Sequence, residues 1–472
     1  MDRKILAVLA ILLITRLVML DARPIDHDES IHAFLSFDLL KQGRYSYDPA
    51  YHGPFLYFST ASIFMIFGDS NFTSRLVPVI FSIIGALVSM KFRRWIGGGA
   101  YILTFFMIFS TSILYYSRYL RNDMIVLPSF LLIIYSYFRY LEVDGLKKDA
   151  FAYLAVLFAT IMLCSKENSY IYLFILTSFI FLYGIYTQGS GYIREKLINW
   201  NLQKIRILII SSVIFIAIFS TLYTAGFSDM DGLRRATIGA VEHWVKMHEI
   251  NDHAKQWWYY WLLLVKYEFL PFALAIIATP NFVKKLRKND ISRLELFSAY
   301  WVVTTLTIYQ ILSHKVPWLL VHLVAPLAFF SSILLKDDVI AWRKRAFRFA
   351  LLFVAVIYLA FSLHINYIDY NDAKHEELIY IQIQPSAVHL ANRILELHNS
   401  GMKGIIFEPE NDYWPLPWYL RYIDIPYTSS PVNFRDYDFI VTSERNTARF
   451  NCTAERYELR PYYYMVLLEN CR

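Results

Sequence analysis

The hydrophobic residues of this 472-residue chain are concentrated in apolar runs of about 20 residues, which short polar segments separate. A run of that length, coiled as an α-helix, crosses a hydrocarbon core of about 30 Å. The pattern therefore predicts an all-α polytopic membrane protein with about 11 transmembrane helices. The predicted spans are 5–20, 75–92, 100–116, 124–141, 150–164, 170–186, 205–226, 258–280, 294–312, 318–335 and 347–365.

The pattern changes near residue 366. From there, "PSAVHLANRILELH" has the apolar spacing of a helix, whereas "GIIFEP" and "DFIVTS" are short apolar runs typical of strands. Between them, "DYWPLPWYLR" predicts a Pro-rich and aromatic loop that faces the membrane surface or a ligand. We therefore predict a transmembrane domain over residues 1–365 and a small extracytoplasmic α/β domain over residues 366–472.

Positive charge orients the chain across the membrane. The apolar segment 54–67 is short, which indicates a re-entrant or interfacial helix that does not cross. If that segment does not cross the membrane and the N-terminus lies in the cytoplasm, every large basic cluster lies on the cytoplasmic side. These clusters occupy residues 91–94, 147–148, 194–206, 284–288 and 343–345. The loops left for the outer face of the cell membrane are 21–53, 117–123, 165–168, 227–257 and 313–318, together with the C-terminal tail.

Composition agrees with this class of protein. The chain is 57% hydrophobic and 18% charged, against about 25% charged in soluble domains. Its net charge is +7, and the Lys and Arg residues form short clusters in the loops between apolar runs. Such clusters are typical of the signals that orient a membrane protein, so we expect no nucleic-acid partner. Cys452 and Cys471 share the tail and can pair if it faces an oxidising compartment. The first apolar run lacks an A-x-A-like cleavage site and is expected to stay as an anchor.

A dense polar motif, "DHDESIH", follows the first apolar run at residues 26–32. The next residues have the apolar spacing of an amphipathic helix on the membrane, so Asp28 and Glu29 begin that helix. A carboxylate at a helix N-terminus stays ionised, as a general base must. The alternative is a solvated hydrophilic turn. We expect Asp28 to act as the base and Glu29 to position acceptor or donor.

A second motif, "SRYLRND", precedes the span that begins near residue 124. Arg118 and Arg121 lie just before Asp123, in a loop predicted to be outside, whereas the large basic clusters lie inside. Two arginines beside an aspartate indicate an anionic ligand at the membrane surface, with simple binding of lipid headgroups as the alternative. We expect the arginines to hold a lipid phosphate and Asp123 to position acceptor or donor.

Other polar residues lie in the remaining outer loops. In "SHKVPW", His314 and Lys315 are candidates for the lipid phosphate, although Lys315 can also snorkel to the interface. Lys166 and Glu167 indicate a local ion pair at a helix end, with Lys166 a further phosphate candidate. The long loop 227–257 carries metal-ligand residue types whose spacing matches no defined site, which is typical of a solvated loop. They are His243, His248, Glu249, Asp252 and His253.

Carboxylates and cations around a membrane-level cleft can transfer a group from a lipid phosphate. The carboxylate deprotonates an acceptor hydroxyl, and Arg or Lys neutralises the departing phosphate. The chain has neither G-x-x-x-x-G-K-[ST] nor G-x-G-x-x-G after a strand, so a nucleotide site is not indicated. The residues therefore favour a transferase that uses a lipid-linked donor on the outer face.

In chain order, "DESIHAFLSFDLL", "YHGPFLYF", "SRYLRNDMIVLPSFLL" and "HKVPWLLVHLVAPLA" resemble the GT-C superfamily of polyprenyl-phosphate-sugar-dependent glycosyltransferases. The nearest relatives are the protein O-mannosyltransferases and the aminoarabinose transferase of lipid A. The resemblance, over roughly residues 1–340, implies Asp28 with Glu29 as the catalytic pair, Asp123 as the second acidic residue, and Lys315 beside the lipid phosphate. The other substrate-binding candidates are His52, Arg118, Arg121, Lys166 and His314. Gly53-Pro54 stands where the wider family often has Pro-Pro.

The whole chain, including "DYWPLPWYLR", also looks like a mostly archaeal group of GT-C-like membrane proteins described as flippase-activity-associated in N-glycosylation. That resemblance implies an alternative, a non-enzymatic flippase for lipid-linked sugars or an accessory to one. The partners implied are a polyprenyl- or dolichyl-phosphate-linked sugar, membrane lipids, and an acceptor glycan, lipid or protein.

Two further expectations concern ions. Asp26 and Asp28 form an Asp-x-Asp, which in oligosaccharyltransferase-like relatives binds a divalent metal, so Mg²⁺ or Mn²⁺ is a candidate cofactor. A proton- or ion-coupled transporter is disfavoured, because we identify no acidic residue near the middle of a long span and no repeated halves.

Overall fold

The computed structural model describes residues 3–189, 191, 200–243, 246, 254–335 and 345–470. The chain folds into two compact units, each built from separate stretches of sequence. The first unit contains Met1–Val18, Gly43–Ser59 and Arg75–Ile368. The second contains Met19–Gln42, Thr60–Ser74 and Asp369–Arg472. The C-terminal segment is thus joined by two stretches from the N-terminal part of the chain, which the hydrophobic pattern does not indicate.

The first unit is helical. Seven of its helices are long and apolar enough to cross a membrane, as counted over the described ranges. The other four predicted spans also fall on helices. The prediction of an all-α polytopic membrane protein is therefore confirmed. The helices are Arg3–Leu17, Leu76–Lys91, Arg93–Ile96, Gly99–Phe109, Thr111–Tyr116, Asp123–Glu142, Gly145–Leu163, Ser169–Gln188, Leu202–Tyr223, Gly232–Arg234, Tyr259–Tyr267, Phe269–Arg287, Arg293–Ile311, Leu320–Leu334 and Arg345–Tyr367, with shorter turns at Pro49–Tyr51, Arg235–Gly239 and Pro317–Leu319.

Burial separates a core helix from a lipid-facing one. Every residue of Pro317–Leu334 is buried inside the protein, whereas no residue in the apolar window of Leu202–Tyr223 is buried. A helix that is hydrophobic all round and buried forms the centre of a bundle, and one that is hydrophobic and exposed faces lipid. The span that carries "HLVAPLA" is thus the packing centre of the first unit.

Two predicted spans, the third and the eighth, are each broken into two helices. The breaks fall at Ser110 and Glu268, and hydrogen bonds join the two positions. Glu268 Oε1 accepts from Ser110 Oγ and from the Ser112 amide, each at 2.7 Å. Tyr358 donates to Glu268 Oε2 at 2.5 Å. Irregular backbone is tolerated at membrane depth only where protein groups satisfy it. The expectation of no acidic residue near the middle of a long span is therefore wrong, because Glu268 is buried there.

The short apolar segment forms the helix Phe55–Phe67. Its 13 residues extend over about 20 Å, less than the hydrocarbon core of about 30 Å. The structure thus contains the short helix expected there, and its re-entrant or interfacial placement stays a prediction.

The second unit contains a five-stranded sheet of order β2-β1-β3-β5-β4. Its strands are β1 Gly404–Phe407, β2 Tyr427–Thr428, β3 Phe439–Ser443, β4 Thr453–Arg460 and β5 Tyr463–Glu469. The first three are parallel, and β5 pairs antiparallel with β3 and β4. Strands β1 and β3 confirm the two predicted strands. The β4–β5 pair was not predicted, because β4 is mostly exposed and lacks an apolar run.

Helices complete the second unit. They are His27–Gln42, Asn71–Ser74, Pro385–Asn399 and Leu416–Tyr419, with short turns at Phe434–Asp436 and Glu444–Arg449. The helices expected after "DHDESIH" and at "PSAVHLANRILELH" are both present. The apolar face of Pro385–Asn399 packs on the sheet core through Leu390, Ile394 and Leu397. The pairing considered for Cys452 involves Cys471, which lies outside the described residues.

The segment "DYWPLPWYLR" is only partly a loop, since it contains the helix Leu416–Tyr419. Trp418 is buried, and its indole N–H donates to Asn71 Oδ1 at 2.8 Å. Arg421 Nε donates to Asp69 Oδ2 at 2.6 Å. These contacts fix the aromatic segment to the stretch 60–74.

Candidate functional site

The first unit encloses a cavity of about 690 Å³. Its lining includes the cationic and imidazole side chains of His52, Arg121, Lys166 and His314, together with the carboxylate of Glu167. Apolar side chains line much of the rest, including Ile171, Val241, Leu312, Val316 and Leu319. Four of the six residues predicted to hold a lipid phosphate therefore line one amphipathic cavity.

The cavity forms where several helices begin or end. Arg121 lies before the helix Asp123–Glu142, and Lys166 lies between two helices that end at Leu163 and begin at Ser169. His314 follows the helix that ends at Ile311. The loops that charge placement assigns to one face thus meet within this unit. The basic clusters fall at the opposite helix ends, for example after Lys91.

His52 is held against the loop that carries Lys166. The Gly53 amide donates to the Ser165 carbonyl at 3.0 Å, and the Phe55 amide donates to the Cys164 carbonyl at 2.9 Å. A Cβ added at Gly53 would lie 2.2 Å from the Cys164 carbonyl oxygen, so no larger residue fits. The glycine of "YHGPF" is thus explained by close approach of two backbones.

Asp123 is fully buried at the edge of the cavity and holds its cations. Lys166 Nζ donates to both carboxylate oxygens at 2.8 Å, and Arg121 Nε lies 3.7 Å from Oδ2. Burial lowers the pKa of Lys166, and the Asp123 carboxylate opposes that shift by favouring the ammonium. A buried carboxylate between two cations is suited to positioning them and not to accepting a proton.

A further layer of side chains orients this cluster. His322 Nε2 lies 2.8 Å from Asp123 Oδ1, and His322 Nδ1 lies 2.7 Å from the Tyr172 hydroxyl. His322 Nε2 also lies 2.7 Å from Asn168 Nδ2, so three side chains hold the imidazole in place. The Arg121 guanidinium stacks on Trp318, 3.6 Å from its ring centroid.

Sequence reasoning missed His322 and Tyr172. His322 is a histidine inside the fully buried span, and an ionisable residue in such a span is the signal that would have indicated it. Tyr172 gives no comparable signal, because tyrosines are frequent throughout the chain.

The expectation of a local ion pair between Lys166 and Glu167 is wrong. Each pairs with another segment: Lys166 with Asp123, and Glu167 with His52, whose Nδ1 lies 2.9 Å from Glu167 Oε2. Burial alone would raise the pKa of Glu167, but the adjacent His52 holds it below its ordinary value. Neighbours along the chain point apart here because the turn between two helices directs them to different partners.

Arg118 and Lys315 are engaged by backbone carbonyls. Arg118 donates to the Val18 carbonyl at 2.7 Å and stacks over Tyr367 at 4.5 Å. Lys315 is 3% exposed and donates to the carbonyls of Gln310 and Leu312 at 3.3 and 2.5 Å. Cations at these carbonyls stabilise helix C-termini. Direct phosphate contacts by these two residues stay predictions.

The motif "DHDESIH" begins the helix His27–Gln42 in the second unit. Asp26 Oδ1 accepts from the Asp28 amide at 2.9 Å, while Glu29 Oε2 accepts from the Asp26 amide at 3.1 Å. This is the reciprocal arrangement of a capping box. Glu29 is fully buried and lies 3.3 Å from Arg23, whereas Asp28 is partly exposed. Of this pair, Asp28 is the better placed to meet a substrate.

The metal considered for Asp26 and Asp28 stays a prediction. Asp26 Oδ1 accepts from the Asp28 amide, and Mg²⁺ is commonly bound through one or two carboxylates, with water completing its six oxygen ligands. Within the described ranges, no group of three or more His, Cys, Asp or Glu is arranged to hold a metal. His248, Glu249, Asp252 and His253 lie outside those ranges. Asp28 belongs to one unit and Asp123 to the other, so their joint role stays a prediction.

Neither a protein-family model nor a curated protein matches the sequence. Among solved structures, the chain is similar to the crystal structure of ArnT from Cupriavidus metallidurans bound to undecaprenyl phosphate, with a TM-score of 0.68, 16% identity and 98% of both chains covered. It is also similar to ArnT in the apo state, with a TM-score of 0.66, 15% identity, and 98% and 97% of the two chains covered. The protein O-mannosyltransferase Pmt1-Pmt2 complex of S. cerevisiae bound to the sugar donor matches over 48% of this chain and 34% of that one, with 14% identity and a TM-score of 0.37. The similarity to ArnT extends over the whole chain, and this protein therefore has the GT-C-like membrane fold.

Proposed function

We propose that the protein is an integral membrane glycosyltransferase that moves a sugar from a polyprenyl-phosphate donor to an acceptor hydroxyl. The observation that carries this proposal is the amphipathic cavity of the first unit. Its cationic part suits a phosphate, and its apolar part suits a hydrocarbon chain. The ArnT structure of the same fold was solved with undecaprenyl phosphate, a ligand of this chemistry.

Arg121 and Lys166 are the proposed phosphate ligands. A guanidinium can bind two phosphate oxygens at once, and an ammonium adds a compact charge. Both groups are nearly buried, where charge interacts more strongly than in water. His52 and His314 line the same cavity and complete the polar part. Asp123 acts as a positioning residue for the two cations.

Asp28 is the proposed general base. It takes the proton of the acceptor hydroxyl as that oxygen forms a bond to the anomeric carbon of the sugar. The bond from that carbon to the phosphate oxygen breaks, and the polyprenyl phosphate leaves with the electron pair. Cations stabilise the charge that develops on the phosphate. Direct displacement inverts the configuration of the anomeric carbon.

We further propose that transfer takes place on the outer face of the cell membrane. Placing the basic clusters in the cytoplasm assigns the cavity to the outside by the positive-inside rule. Residues 366–472 would then be extracytoplasmic.

Donor binding is tested with purified protein in detergent, using polyprenyl monophosphate and the matching polyprenol as probes. We expect the monophosphate to raise the unfolding temperature more than the polyprenol, because a ligand stabilises the state that binds it. Lys166→Met should abolish this difference. Lys285→Met is the matched control, since Lys285 pairs with Glu295 at 2.6 Å and does not line the cavity. Equal stabilisation by both probes would reject the phosphate site.

Transfer is tested with a radiolabelled polyprenyl-phosphate hexose in proteoliposomes. Asp28→Asn should leave monophosphate binding intact and abolish donor consumption. A flippase for lipid-linked sugars, the alternative, would bind the same donor without needing a base. Undiminished translocation by Asp28→Asn, with no transfer by the wild type, would favour that alternative.

A further inference from the structure

The second unit has a cavity of its own, of about 510 Å³, next to the proposed base. His27, which immediately precedes Asp28, lines it. So do Asp412 and Arg460, which form an ion pair through both carboxylate oxygens. The side chains of His27, Asp412 and Arg460 are each about a fifth exposed, so they are held in place but remain accessible. The cavity therefore presents fixed polar groups within one turn of Asp28.

The backbone around this cavity is strained. Ile381 and Tyr462 line it with φ of 55° and 65°, and Asn411, which precedes Asp412, has φ of 55°. Positive φ is tolerated by Asn and belongs to the third position of a tight turn such as the one at Pro461 and Tyr462, but it is an outlier for the β-branched Ile381. Such conformations persist where the surroundings over-determine them, and they cluster at ligand sites. The strain is an observation independent of the polar lining.

Charge and ring placement define the ligand. Glu376, Glu377 and Asp412 contribute three carboxylates to the lining, and Arg460, which pairs with Asp412, contributes one guanidinium. Burial lowers the pKa of His27, although the neighbouring Asp28 opposes the shift, so His27 adds little positive charge at neutral pH. An excess of carboxylates disfavours a phosphate or a uronic acid. Carboxylate, guanidinium and imidazole groups together supply both acceptors and donors, which hydroxyl groups require.

Tyr462 adds an aromatic face. It occupies the turn between β4 and β5 and is 82% exposed, with Lys374 Nζ 5.8 Å from its ring centroid, so the rest of the ring surface is available to a ligand that enters the cavity. A large exposed aromatic beside paired polar groups combines apolar contact area with a polar end.

We propose that this cavity binds the acceptor and that the acceptor is a neutral carbohydrate. The identification of the ligand as the acceptor rests on the proposed function, whereas carbohydrate binding itself does not depend on that function. The sugar would lie against Tyr462, with its hydroxyl groups bound by Asp412, Arg460 and His27. One hydroxyl would then lie near the first turn of the helix that carries Asp28.

The test measures binding of neutral hexose oligosaccharides, of two to four units, to the full chain in detergent by saturation-transfer NMR. Oligosaccharides of hexuronic acid serve as the anionic counterpart. Tyr462→Gly removes the ring and relieves the positive φ, so the protein should fold as well as the wild type or better. We expect it to bind the neutral oligosaccharide about tenfold more weakly. Tyr462→Phe keeps the ring and should bind normally.

Asn289→Gly is the matched control, because Asn289 also has positive φ, at 52°, and does not line this cavity. Unchanged binding by Tyr462→Gly, or stronger binding of the anionic oligosaccharide, would overturn the inference. If no neutral oligosaccharide binds while the donor is still consumed in an Asp28-dependent way, the inference fails and the proposed function stands. If the oligosaccharide binds but no sugar is transferred, the proposed function fails and the site stands.

Discussion

Gly53→Ala is the sharpest test of how the donor cavity is built. The new Cβ would lie 2.2 Å from the Cys164 carbonyl oxygen and 2.7 Å from the Ser165 amide nitrogen. Both are backbone atoms, which cannot rotate away as a side chain can. The segment around His52 must therefore move away from the loop that carries Lys166.

The size of the effect follows from the contacts that separation breaks. Two backbone hydrogen bonds join the segments, at 3.0 and 2.9 Å, and each contributes about 0.5–1.5 kcal/mol net. Gly53→Ala should therefore lower the free energy of unfolding by about 1–3 kcal/mol. Because His52 also moves away from Glu167, stabilisation by polyprenyl monophosphate should fall as well.

The assay is thermal unfolding in detergent, with and without polyprenyl monophosphate. Gly191→Ala is the control, since a Cβ there meets no atom within 4 Å. If Gly53→Ala unfolds at the same temperature as Gly191→Ala and retains donor stabilisation, the close approach of the two segments is refuted.

Three further predictions concern groups away from the cavity. Glu29→Gln removes the carboxylate charge 3.3 Å from the buried Arg23 and should cost about 3 kcal/mol of stability, as measured by unfolding, whereas Glu396→Gln at an exposed pair should change little. Hydrogen bonds from Tyr422 and Arg421 outweigh the effect of burial and lower the pKa of Asp69. Its stabilisation should therefore be present above the ordinary aspartate pKa and be lost as pH falls through the lowered one, and Asp69→Asn should flatten that acid limb. Glu268→Ala removes the acceptor for the donors at the Ser110 break and for the Tyr358 hydroxyl, and should destabilise the protein by about 2–4 kcal/mol, with Glu268→Gln milder in the same melting assay.

The sequence predicted the fold well where periodicity carries the information. Apolar run length located the spans, and short apolar runs bounded by polar and turn residues located β1 and β3. The failures have physical causes. A broken span such as that at Glu268 looks continuous by hydrophobicity, because one polar residue does not end an apolar run. Strand β4 is exposed and charged, so its pairing with β5 is set by tertiary contact and not by its own pattern.

Candidate residues could be named from residue type, but their partners could not. Lys166 was expected to pair with its neighbour, and it binds Asp123 instead, 43 positions away. Glu29 resembled a catalytic carboxylate, yet its hydrogen bond to the Asp26 amide makes it part of a helix cap. Short-range spacing cannot separate these cases, since a carboxylate at a helix start serves equally well as a cap or as a base.

The buried carboxylate of Asp123 resolves an apparent contradiction in the donor cavity. A phosphate site needs positive charge, but burial disfavours the charged ammonium and lowers the pKa of Lys166. Pairing with Asp123 keeps Lys166 protonated, but the carboxylate offsets one positive charge of the site. Arg121 stays protonated in any environment, and the Glu167 carboxylate in the same lining is held by His52, so the guanidinium remains as a second cation for the donor. A carboxylate at the edge of a phosphate site is therefore consistent with anion binding, because it maintains the cation that binds.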